Sequence, residues 1–214
     1  MTLFCTDRDL LALEPLVFLQ GSACQQFAAG DDGALAAGAF TSASASFAAS
    51  ILPGMVLTTS ATIPAEGTCC EILSVDSPTA LSVSLLRTSS TDGPVAPPDA
   101  TGLSWRVRTF AAHSTEASAA LGEELRAQSE VDFDADDFSP SDQLRRLCAF
   151  RALAAIFLGR CQKAAQDDLN WIKAEHYRAE ARRLRTQLTL VTDTDADAQR
   201  DTSRSLANVQ LRRR

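Results

Sequence analysis

Asp193, Asp195, Asp197 and Asp201, in the stretch DTDADAQRD, are the residues whose type and spacing come nearest to a ligand set. Carboxylate oxygens at alternate positions suit a hard cation, and on a calcium-loop template Asp193, Asp195, Asp197, Gln199 and Asp201 take positions one, three, five, seven and nine. The two most diagnostic positions do not match. Ala198 stands where the sharp turn requires glycine, and Arg204 where a bidentate glutamate belongs. A second reading accounts for the same composition: aspartate side chains bond to nearby backbone amides and stabilise the solvated turn of a hairpin. The hairpin turn is the expectation, with a calcium-modulated binding module as the alternative.

No other constellation points to catalysis or to a cofactor. Cys5, Cys24, Cys69, Cys70, Cys148 and Cys161 lack the paired C-x-x-C spacing of a zinc site. Cys148 and Cys161 fall in a helical pattern and read as small core-filling thiols. His113 and His176 have no serine, cysteine or carboxylate arrangement tied to them. The GDDG at 30–33 reads as a turn, and phosphate-loop and dinucleotide fingerprints are missing. A non-enzymatic protein with no cofactor is expected.

Charge divides the chain. Residues 1–139 carry 18 acids and 5 basic groups, residues 140–214 carry 9 and 15, so an acidic body of −13 precedes a basic end of +6. Eighteen of the 20 basic residues are arginine, which favours fixed bidentate pairing over loose solvation. The acidic cluster Glu123, Glu124, Glu130, Asp132, Asp134, Asp136 and Asp137 reads as a solvated linker or, alternatively, as the wall of a channel that repels phosphate. No apolar run approaches the roughly 18 residues of a membrane helix, and the N-terminal stretch lacks the pattern of a signal peptide. Synthesis in a cytoplasm without membrane association is expected.

The elements follow from periodicity. In residues 1–20 Thr6 can cap a short helix that Pro15 stops. Residues 21–50, rich in Ala, Ser and Gly, read as a loose connection. Residues 51–112 switch to strands: Leu81, Val83 and Leu85, then Leu103, Trp105 and Val107, alternate with polar residues. Four or five short strands suit a small SH3-like barrel. Residues 113–187 turn helical. One helix covers 115–130; the next carries Leu144, Leu147, Cys148, Ala154, Ala155, Leu158 and Cys161, widened by Phe150, Leu153 and Phe157. A third places Trp171, Ala174, Ala181, Leu184 and Leu188 on one face and Arg178, Arg182, Arg183 and Arg185 on the rest. The fold class expected is α+β: a helical bundle core, an inserted SH3-like barrel and, over 188–214, an extended hairpin and tail. That tail, with Leu188, Leu190, Leu206, Val209, Leu211, Arg212, Arg213 and Arg214, holds too little apolar surface to fold alone.

In this order the parts resemble the head–tail connector proteins of tailed bacteriophages, the adaptor or head-completion class. The resemblance rests on the opening helix TDRDLLALEP, the phrase CCEILSVDSPTALSVSLLR leading to LSWRVRTFAAH, the hairpin SDQLRRLCAFRALAAIFL…WIKAEHYRAEARRL, and the tail LVTDTDADAQRDTSRSLANVQLRRR. It implies a virion neck protein forming a homo-oligomeric ring, commonly of twelve subunits, on the portal protein. A tail or stopper protein would lie below, and DNA would pass through the lumen without sequence-specific binding. Residues 188–214 would be the portal-docking arm. Phe150, Leu153, Phe157, Arg178, Arg182, Arg183 and Arg185 would supply the subunit interface. A stopper or other tail-completion protein is the alternative within the same class.

Overall fold

The computed structural model describes residues 3–20, 24–47, 50–60, 67–89, 91–128, 142–161, 168–187, 189–192 and 202–205, the last two stretches by their backbone pairing. The chain divides into two compact units, Asp7–Ala111 and Met1–Thr6 with Ala112–Arg214.

The first unit is a closed antiparallel barrel with two short helices, α1 (Asp7–Leu13) and α2 (Leu16–Leu19). Its six strands are β1 (Gln25–Ala36), β2 (Ala39–Ser42), β3 (Val56–Ser60), β4 (Thr68–Ser77), β5 (Ala80–Ser84) and β6 (Ala100–Thr109). They are ordered β1-β2-β5-β4-β3-β6, and β6 returns to pair with β1. The alternation in β5 and β6 sends Leu81, Val83, Leu103, Trp105 and Val107 into one apolar cluster with Phe40, Phe47, Leu57 and Ile72. Trp105 lies edge-on to Phe40 and Phe47, with ring centroids 5.4 Å away in both cases.

The segment expected as a loose connection holds β1 and β2. Its lack of periodicity has a steric cause: a Cβ on Gly30 would lie 2.7 Å from the Trp105 indole nitrogen, and one on Gly33 would lie 2.8 Å from both Phe40 and Trp105. The strand must be small where the indole crosses it, and bulges between Gln26 and Ala28 and between Gly30 and Gly33 break the two-residue period. The GDDG expected as a turn is this bulged part of β1. Asp32 anchors it, accepting bonds from the Ser42 hydroxyl (2.5 Å), the Ser44 hydroxyl (2.7 Å) and the Ser44 amide (2.8 Å). The Ser42 and Ser44 bonds hold its carboxyl well below the usual range.

Polar groups tie α1 and α2 to the barrel. Glu71, buried on β4, accepts from Arg8 of α1 (3.2 Å) and from the Arg87 guanidinium (3.0 Å). Buried Arg108 donates to the carbonyls of Phe18 and Leu19 at the end of α2. Asp7, at the start of α1, accepts from the Phe110 amide at 2.9 Å. Burial pushes its carboxyl up to about 6, against the lowering effect of bonds to Thr109 and Phe110.

The second unit contains α3 (Ala111–Gln128), α4 (Asp142–Arg160), α5 (Leu169–Gln187) and a two-stranded ribbon, β7 (Thr189–Thr192) with β8 (Thr202–Ser205). The helical bundle core expected from the sequence is not what forms. The α1 helix groups with the barrel, and the barrel is closed around its own apolar cluster. The α4 and α5 helices pair as a hairpin, and the reason lies in α5, which buries only Ala174, Tyr177 and Ala181 among arginines and glutamates. A face that narrow covers one side of one helix. Most of the wide stripe of α4 is buried, with Phe157 stacked on Tyr177 at 5.8 Å and Phe150 at 6.0 Å, while Ala155 and Leu158 of that stripe stay exposed.

Candidate functional site

The α4–α5 hairpin carries the most distinctive surface of the described residues. Arg151, Ala154, Ala155 and Leu158 on α4, and Arg178, Ala181, Arg182 and Arg185 on α5, each follow the i, i+3, i+4, i+7 spacing that lines one helix face. The two faces meet in an open groove of about 370 Å³, with a floor of alanines and Leu158 and a rim of four arginines.

Carboxylates fix part of that rim. Glu124 of α3 accepts from Arg151 at 2.6 Å through one oxygen and from Arg185 through the other, so a single side chain ties two of the four rim arginines to a third helix. Arg178 pairs with Glu175 one turn away, at 2.6 Å. Arg182 is exposed and makes no ion pair among the described residues. Fixed guanidinium groups over an apolar floor suit an acidic segment, which gains charge-assisted bonds at the rim and burial at the floor.

Of the residues expected at a subunit interface, Arg178, Arg182 and Arg185 line this groove, while Arg183 pairs with Glu180 at 2.7 Å away from it. Phe150, Leu153 and Phe157 are buried within the unit itself and form its core. Arg151 and Glu124 were not expected there. The signal for Arg151 was present, because it shares the helical face of Ala154, Ala155 and Leu158. Glu124 belonged to the acidic cluster, whose members Glu130, Asp132, Asp134, Asp136 and Asp137 lie outside the described residues.

In the expected docking arm, β7 and β8 pair antiparallel, with Leu190 opposite Arg204 and Thr192 opposite Thr202. Leu188, Leu206, Val209, Leu211, Arg212, Arg213 and Arg214 lie outside the described residues, as do Asp193, Asp195, Asp197 and Asp201. Arg204, where a calcium loop needs its glutamate, is a ladder residue of β8.

The remaining groups with chemical potential are quiet. His176 lies edge-on to Tyr177, and burial lowers the pKa of His113. Burial pushes the Cys69 thiol up to about 11 and the Cys70 thiol up to about 12, which leaves both protonated at neutral pH. No group of three His, Cys, Asp or Glu side chains among the described residues could hold a metal ion, and no described helix is long and apolar enough to cross a membrane. Comparison with known protein families, curated proteins and solved structures finds no match.

Proposed function

We propose that this chain is a structural, non-enzymatic subunit of the neck of a tailed bacteriophage. It is an adaptor that assembles into a homo-oligomeric ring between the portal and the tail or stopper protein, with a lumen for DNA. The observation that carries the reading is the arginine-rimmed groove. A closed ring of identical subunits needs two unlike faces on each copy, one received by the other. The groove supplies a basic receiving face, and the acidic first 139 residues, at −13, supply complementary charge on the next copy. Net charge of −7 on each subunit suits a channel through which DNA slides without being held.

The terminal residues 188–214 are the second contact, reaching the portal. Strand pairing with a partner's sheet gives affinity through backbone bonds, and Arg212, Arg213 and Arg214 add pairing with carboxylates. Truncation after Gln187 is expected to abolish co-sedimentation with the portal and to leave circular dichroism unchanged. Undiminished co-sedimentation would contradict the arm's role. Charge reversal at the groove, Arg182→Glu, is expected to stop ring formation. Rings of wild-type mass from that variant would contradict the groove's role.

A further inference from the structure

The second unit holds a sulfur pair that the proposed function does not use. Cys5 and Cys148, 143 positions apart in sequence, place their Sγ atoms 2.9 Å from each other. That is closer than two non-bonded sulfur atoms normally approach, and less than an ångström beyond a disulfide's roughly 2.05 Å. Both residues are buried, Cys5 at 1% and Cys148 at 0% exposure. Their approach is held by Ser118 of α3, whose hydroxyl oxygen accepts from the Phe4 amide at 3.1 Å and lies 3.3 Å from the Cys148 sulfur. One side chain thus positions the segment bearing Cys5 and the helix bearing Cys148.

We propose that Cys5 and Cys148 are a disulfide site, open as two thiols in a reducing compartment and closed by a peroxide-class oxidant. Burial restricts the co-reactant to a molecule near the size of water. Hydrogen peroxide transfers an oxygen to one sulfur, giving a sulfenic acid and releasing water. The neighbouring sulfur then attacks, the S–S bond forms as the S–O bond breaks, and a second water leaves. Two thiols and one peroxide become one disulfide and two waters. The bond staples the N-terminal segment to α4 and closes a chain loop that includes the whole barrel unit. Removing that much freedom from the unfolded chain raises thermal stability. For a virion component, the thiol state belongs to assembly inside the cell and the disulfide to the released particle.

The test is peroxide treatment of the folded full chain, followed by alkylation in denaturant and peptide mass spectrometry. A Cys5–Cys148 linked peptide is expected, with an upward Tm shift of roughly 10 °C that dithiothreitol reverses. Cys5→Ser leaves α4 unchanged, and it should lose both the peptide and the shift. Full alkylation of Cys5 and Cys148 after peroxide treatment would overturn the proposal. So would a linked peptide that joins either of them to another cysteine.

Discussion

Each of the two units contains a glutamate held between two arginines, and the two triads do opposite things. In the barrel unit Glu71 joins Arg8 and Arg87 with 4% of its side chain exposed. In the helical unit Glu124 joins Arg151 and Arg185 with 23% exposed. The buried triad clips α1 to the barrel wall, where loss of the carboxylate strands positive charge away from water. The half-buried triad holds two guanidinium groups at a groove rim, where water can reach a lost partner's place and the consequence is positional. Depth decides whether the same three side chains hold the fold together or arrange a surface.

The largest effect is expected at the buried triad. Glu71→Ala should lower stability by about 3–5 kcal/mol in urea unfolding, and a loss below about 1 kcal/mol would erase the distinction between the triads. Asp7 sharpens the same point through pH. Its carboxyl titrates at about 6 in the folded chain and near 3.8 when solvated, so the folded state binds its proton more tightly. That contribution is fully present below the solvated value and is lost as pH rises through about 6, amounting to about 3 kcal/mol across the window. Asp7→Asn should flatten the wild-type slope between pH 4 and 7, measured by urea unfolding at each pH; an unaltered slope would assign it to another group.

At the half-buried triad, Glu124→Ala should cost only about 1 kcal/mol and is expected to weaken the proposed ring assembly, because Arg151 and Arg185 lose their common anchor. A stability loss equal to that of Glu71→Ala would make the groove rim part of the core. Smallest in stability is Arg182→Glu, expected within about 0.5 kcal/mol of wild type while the proposed ring assembly is expected to be lost.

How far the sequence could be read follows the same division. The β5 and β6 strands were legible because Leu81, Val83, Leu103, Trp105 and Val107 alternate with polar residues, and α4 because of its three-and-four spacing, whereas the four-residue α2 is too short to show a period. The β1 strand was not, since Gly30 and Gly33 make way for Trp105, a residue more than 70 positions downstream, and bulges erase the period. The bundle was misjudged because the wide apolar stripe of α4 implied several helical partners, whereas α5 offers a three-residue face. For the site, the arginines of α5 were visible as a charge run, but selecting Arg178, Arg182 and Arg185 from Arg183 required their pairing with the matching face of α4. Glu124 stood out only as one acid among several.

The most direct test of the proposed adaptor role is the mass of the species formed when the full chain is mixed with a portal protein encoded beside it, read by mass photometry. The account predicts a discrete complex heavier than the portal by about 275 kDa, twelve copies of a 22.9 kDa chain, and negative-stain views with one continuous channel. A portal of unchanged mass beside free 22.9 kDa subunits would contradict it.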